Sequence, residues 1–326
     1  MQRKRYALTM CISLSRNFLH KNTLALVVIF ICLLASLPAY SQNENLRFHW
    51  EDSFSATEQQ RLQSWIIRTD KALTDLVGEL PFTRHIFFHR RDGSREPVPW
   101  AHTQRGQNQG VHFYVDLSFP QQDFDQDWTA PHELSHLVIP YLGRKNAWFA
   151  EGFASYMQYQ VMMQMGVLTS TDAQQRYTKR IERAEKKFAL DDLPFAEAAP
   201  KLRAMGQYPT MYWGGAVYFK QVAQQLETQG SISLLATLAS YVSCCRNDEA
   251  SLQTLIEQLD QLASGEVFRQ CMDEFERHHR SMVVNVSQES RVPLVYPIVN
   301  QRIRNRADPC VNGFGINSSP FFCRRC

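Results

Sequence analysis

The stretch Pro131-His132-Glu133-Leu134-Ser135-His136-Leu137-Val138-Ile139 decides the reading of this chain. Pro131 is tolerated in the first turn of a helix, Thr129 or Asp127 is placed to cap it, and Pro140 with Gly143 ends it. Within that helix His132 and His136 are four residues apart and share one face, so both imidazoles can reach one zinc ion. Glu133 lies on the adjoining side, where it can meet a water on the ion without being a ligand, the geometry of metal-assisted hydrolysis. The alternative is a solvated face that happens to carry His, Glu and His. Leu134, Leu137, Val138 and Ile139 oppose it, because a largely apolar helix is buried and must give its polar groups partners.

Outward from this helix, Ala147 to Met165 reads as a second one, stopped by Gly166. It carries Trp148-Phe149-Ala150-Glu151-Gly152-Phe153-Ala154-Ser155-Tyr156. If the two helices are antiparallel across the short turn from Pro140 to Asn146, Glu151 returns to the histidines and supplies the third protein ligand that a catalytic zinc requires. A charged helix from Ser170 or Thr171 to about Phe188 follows, then a Pro-bounded linker from Asp191 to Pro200. Further helices fit Met211 to Glu227, Ile232 to Val242, Ala250 to Leu262 and Glu266 to Val283.

Before the zinc-type motif the pattern differs. Leu46 to Trp50, His85 to His89 and Val111 to Leu117 read as strands, Ser55 to Val77 as an amphipathic helix, and Arg90 to Gln109 as a loop. The expected class is therefore α+β, with a small strand-containing part over 42–125 and a mainly helical part over 126–284. Residues 285–326 lack periodicity and read as an irregular, cysteine-containing tail.

The two motifs, with fourteen residues between His136 and Glu151, resemble those of gluzincin metallopeptidases, in particular the peptidase-MA-like group with its W-x-x-E-G-x-A segment. Tyr212-Trp213-Gly214-Gly215-Ala216 is similar to the Y-x-x-G-A of aminopeptidase-N-type and glycyl-aminopeptidase-type relatives. The resemblance implies a zincin-type helical part, a peptide or protein substrate, and a Tyr212 hydroxyl that stabilises the oxyanion of the tetrahedral intermediate. Against that role stands a packing aromatic beside Tyr208, Trp213 and Tyr218. The resemblance also implies that the strand Val111 to Val115 aligns an extended peptide by edge pairing; His112 on that strand is either a residue lining the cleft or a surface polar residue. Two departures stand out. The His-to-Glu spacer is four residues shorter than in aminopeptidase-N relatives, and the G-x-M-E-N segment that holds a free amino group there is missing from Gly110 to Val115. A zinc-dependent peptidase is thus expected without support for aminopeptidase specificity. The alternative is a non-catalytic zinc-containing binding or scaffold protein.

Composition sets the remaining expectations. With 44% hydrophobic and 21% charged residues the 326-residue chain is neither disordered nor low-complexity. A net charge of +3 gives no electrostatic reason to expect a nucleic-acid partner. Arg3, Lys4, Arg5, Arg16 and Lys21 precede the uncharged run Leu24 to Tyr40, which reads as an export signal cut after Ser41, with a periplasmic or secreted mature chain. Retained, residues 24–40 would anchor the protein in a membrane. Cys244, Cys245, Cys271, Cys310, Cys323 and Cys326 then remain, an even number that favours disulfides in an exported chain. Adjacent Cys244 and Cys245 are expected to take separate partners because a ring between neighbours is strained.

Overall fold

Four strands, β1 (Leu46–Trp50), β2 (Arg84–Arg90), β3 (Trp100–Gln104) and β4 (Gly110–Val115), form one sheet in the order β1-β2-β4-β3. The computed structural model describes residues 45–277 except 189, 191, 247 and 248. The stretch read as an export signal, the tail and the cysteines at 310, 323 and 326 lie outside the described residues, as does the end of the helix expected to reach Val283.

β1 pairs with β2 and β2 with β4 in parallel, while β3 and β4 are antiparallel. β3 falls inside the stretch expected to be a loop. Its Trp-Ala-His-Thr-Gln sequence is short and mostly polar, and what makes it a strand is the ladder offered by β4, reached through a hairpin loop whose Gly106 has φ +96°. One face of the sheet is apolar: Ile86, Phe88, Val111, Phe113 and Val115 are buried. Helix α1 (Ala56–Val77) begins behind a Ser55–Glu58 cap pair and lays Leu62, Trp65 and Ile66 inward, and the Trp65 ring meets Phe113 and Phe124 edge-on. Phe124 comes from the short helix α2 (Gln121–Gln126).

The chain divides into two compact units. Among the described residues, 45–68 with Leu80–Asp127 make the sheet unit, and Thr69–Glu79 with 128–277 make the helical unit. The helical unit contains α3 (Thr129–His136), α4 (Ala147–Gln164), α5 (Ser170–Lys187), α6 (Phe195–Ala204), α7 (Tyr208–Thr228), α8 (Leu234–Cys244), α9 (Leu252–Ala263) and α10 (Val267–Arg277). Its centre is α4, buried on nearly every side and packed on α7, where Phe149, Phe153 and Tyr156 meet Phe219. The architecture is α+β, as the sequence pattern implies.

Two local expectations are corrected. The region read as a linker contains α6: Pro194 is its N-cap and Pro200 lies inside it, held there by burial of Phe195, Ala198, Ala199 and Leu202. α5 starts at Ser170, as expected, behind a capping box formed by Thr169 and Asp172. Cys244 and Cys245 are joined to each other, where α8 ends and the backbone leaves helical geometry at Cys245 (φ −137°). Neither finds another partner among the described residues, since Cys271 is a buried free thiol on α10. No helix among the described residues is long and apolar enough to cross a membrane.

Candidate metal centre

Helix α3 is short because its two ends are set by different devices. Trp128 occupies the N-cap position, between the expected Asp127 and Thr129, without a side-chain cap bond of its own. Pro131 is the third helical residue, where its missing N–H has no partner to lose. At the other end the amides of Leu137 and Val138 turn back to the carbonyls of Leu134 and Ser135, tightening the last turn. Arg246 donates to the Leu137 carbonyl at 3.1 Å, placing a cation at the negative end of the helix. The buried Ser135 hydroxyl is satisfied by the Pro131 carbonyl at 2.6 Å.

Between these ends the four-residue spacing places the His132 and His136 rings 4.9 Å apart and nearly perpendicular, at 86°. A 3₁₀ turn (Arg144–Asn146) leads into α4, and Glu151 is in its second turn. Its Oε2 lies 3.2 Å from His132 Nε2 and 3.5 Å from His136 Nε2. Two helical turns further along α4, Gln158 Oε1 lies 3.0 Å from His132 Nδ1. The early histidine of α3 thus reaches the later residue of α4, so the two helices are antiparallel.

The ligand atoms of His132, His136 and Glu151 all lie within 4.8 Å of one another. Zinc bonds of about 2.0–2.2 Å in a tetrahedron separate ligand atoms by about 3.3–3.5 Å, close to the 3.2 and 3.5 Å between Glu151 and the two rings. Two imidazoles and a carboxylate are a borderline donor set, and three protein ligands leave a position open. His132 and His136 are buried while the Glu151 side chain keeps 24% of its exposure. The residues present therefore fit zinc.

Electrostatics agree with that donor set. Burial alone would raise the Glu151 carboxyl, yet the His136 and His132 rings hold it far below the usual carboxylate range. Burial also works against a charged His132, but hydrogen bonding and charge from Glu151, with Glu133 close by, outweigh it and raise its pKa. Gln158 orients the ring: its amide oxygen accepts from Nδ1–H, which leaves Nε2, hydrogen-bonded to Glu151 here, as the nitrogen that would give up its proton to ligate an ion.

Glu133 is half-buried, and its charge acts on both His132 and Tyr212. Tyr212, on the second turn of α7, has its ring 6.1 Å from that of His132. It is only half-buried, in contrast to its neighbours: Trp213 stacks on Tyr159 and Tyr218 packs on Phe149 and Phe275. The packing reading therefore describes Trp213 and Tyr218, and Tyr212 is turned to the histidines. Burial, with the charges of Glu151 and Glu133, raises its pKa, so its hydroxyl keeps its proton.

Two contributors were not apparent from the motif. Gln158 follows Glu151 by seven residues, a same-face spacing that the sequence does display. Trp128, edge-on to His132 at 5.4 Å and 42% exposed, carries no comparable signal. The expected edge pairing at Val111–Val115 is corrected, because β4 has β2 on one side and β3 on the other and its backbone groups are already in ladders. His112 is engaged within the sheet unit, its two ring nitrogens against His89 and Gln104.

Comparison with known proteins adds one family. The family model described as M61 glycyl aminopeptidase matches residues 142–232, a span that contains Glu151 and Tyr212 and begins after His136. The match bears out the resemblance to gluzincin-type zinc metallopeptidases over that part of the chain. Among solved structures, the M1 zinc metallopeptidase from Deinococcus radiodurans is 15% identical, with a TM-score of 0.43 over 71% of this chain and 48% of that one. A point mutant of that enzyme bound to Tyr-ser-ala substrate gives 15% and 0.42 over 64% and 43%. The chain spans less than half the length of these structures. No curated protein matches it.

Proposed function

We propose that this protein is a zinc-dependent peptidase whose site is built by α3, α4 and α7. The observation that carries the reading is the convergence of His132, His136 and Glu151 from two antiparallel helices onto one point. The peptidase-family match supports it independently, because the matched residues exclude the two histidines.

His132, His136 and Glu151 would hold the ion, which when bound supplies Lewis acidity and lowers the pKa of water. Glu133 is the base: it takes the proton of the attacking water and returns it to the leaving amine. Tyr212, protonated across the working pH range, donates to the oxygen that gains charge in the transition state. Gln158 holds the His132 ring in the ligating tautomer. The substrate class is a peptide or protein. The basic stretch and the apolar run before Ser41 support an exported chain, and N-terminal sequencing of the mature protein, expected to begin at Gln42, checks it.

The deciding experiment pairs metal analysis with digestion of a mixed peptide library by the wild type and by Glu133→Gln. One zinc per chain in both proteins, with cleavage in the wild type alone, is the expected result. One zinc and no cleavage by either would assign a binding protein instead, and no zinc would overturn the site.

A further inference from the structure

Five of the seven histidines among the described residues lie on one face of the four-stranded sheet, and none of the five belongs to the metal centre's ligand set. Strand alternation puts them there. His49 is paired in register with Phe87, Phe87 with His112 and His112 with His102, so one row of rings crosses all four strands. The rings in this row stack with centroids 4.3, 4.2 and 4.7 Å apart and planes within 14° of parallel. His85 and His89 flank Phe87 two residues away on β2 and therefore share its face.

This arrangement makes two nitrogen-to-nitrogen contacts. His49 Nε2 faces His85 Nδ1 at 2.9 Å, and His89 Nε2 faces His112 Nδ1 at 2.9 Å. In the second pair the protons can be placed. Gln104 Nε2 donates to the Asn108 carbonyl, which turns its Oε1 to His112 Nε2 at 2.7 Å. His112 must donate from Nε2, so its Nδ1 presents a lone pair to His89. Burial first, then the neighbouring histidines, lowers the pKa of both His85 and His112, which keeps these rings in the neutral, ligating form near pH 7.

We propose that this face binds divalent copper or nickel, one ion at the His49–His85 pair and one at the His89–His112 pair. Metal–nitrogen bonds of about 2.0–2.1 Å place two cis nitrogens about 2.9 Å apart around a tetragonal ion, the separation both pairs already have. A tetrahedral ion requires the wider spacing found between Glu151 and its two histidines. Binding replaces the hydrogen between the rings: His89 moves its proton to its own Nδ1, freeing Nε2, and His112 is already in the required tautomer. The first pair needs one such shift. No proton is released to solvent and no redox step is involved. His102, stacked on His112, is a further imidazole beside the second ion.

The test is titration of the metal-free chain with Cu²⁺ and then Ni²⁺ at pH 7.5, counting bound ions and recording the nitrogen couplings of the copper spectrum. Relative to the wild type, His85→Gln and His112→Gln each lose one ion, the double variant loses two, and His49→Gln and His89→Gln behave like their partners. Each sheet-bound copper shows at least two nitrogens. His132→Ala removes a different ion and leaves both sheet sites, so failure of the peptidase reading would not disturb this result. Thermal melts of the metal-free variants establish that they fold. An ion count unchanged in the double variant, or no copper on the wild type beyond that removed by His132→Ala, overturns the proposal.

Discussion

Gly152 of α4 and Gly215 of α7 lie back to back: a Cβ on Gly152 would stand 2.3 Å from the Gly215 carbonyl carbon, and one on Gly215 would stand 2.3 Å from the Trp148 carbonyl oxygen. The backbones meet where no side chain fits, one residue from Glu151 and three from Tyr212. Gly152→Ala is expected to force α4 and α7 apart, costing about 1–3 kcal/mol of stability by overpacking. The turnover loss should exceed the loss of zinc affinity, because Tyr212 moves away while the α3–α4 ligand set stays together. Urea denaturation with parallel zinc-competition and peptidase assays measures both.

Glu133→Gln keeps the shape of the side chain and removes the base. Zinc content and melting temperature should match the wild type, while kcat falls by about 100- to 10,000-fold, the range ascribed to general base catalysis. Single-turnover peptide hydrolysis by zinc-loaded protein is the measurement.

Gln158→Ala deprives His132 of its orienting partner in a buried place. Loss of such an outer partner lowers metal affinity by about 10- to 100-fold. Gln158→Glu, which restores an acceptor at the same distance, should recover the affinity that Ala loses. Competition with a chromogenic chelator separates the two variants.

Alkaline stability should fall early. Burial first, then Glu274 and Asp260, pushes the Cys271 thiol up to about 12 from 9.0. Burial likewise raises Tyr218, whose hydroxyl donates to the Phe268 carbonyl at 2.9 Å. A folded-state pKa above the unfolded one means that the native chain retains a proton the unfolded chain gives up. The stabilisation is complete below about pH 9 and declines as pH rises towards 12. Urea midpoints at pH 7, 9 and 10 should decrease, less steeply in Cys271→Ala. Iodoacetamide at pH 8 should leave Cys271 unmodified until urea is added.

The metal-centre residues were legible because chemistry ties them to fixed spacings: His132 and His136 one turn apart, and Glu151 early in the next apolar helix. Tyr212 was legible only through its resemblance to a known segment, since nothing local distinguishes it from Trp213. β3 was missed because its pairing energy comes from β4 and its own sequence is weakly strand-forming. α6 was missed for a related reason: two prolines read as boundaries, whereas buried Phe195 and Leu202 override the one at 200. The sheet's histidines look unrelated in sequence, and only the β1-β2-β4-β3 order brings them together.

Most cross-links matter for the distance in sequence that they close. By joining Cys244 to its immediate neighbour, the disulfide in this chain encloses no loop, so it leaves the unfolded ensemble almost as free as a reduced chain. What it restricts is a single peptide unit at the end of α8, directly before Arg246. Among the described residues, then, no covalent tie holds the helices around the metal centre together, and their association rests on packing, on hydrogen bonds such as that from Arg246 to Leu137, and on whatever ion occupies the site.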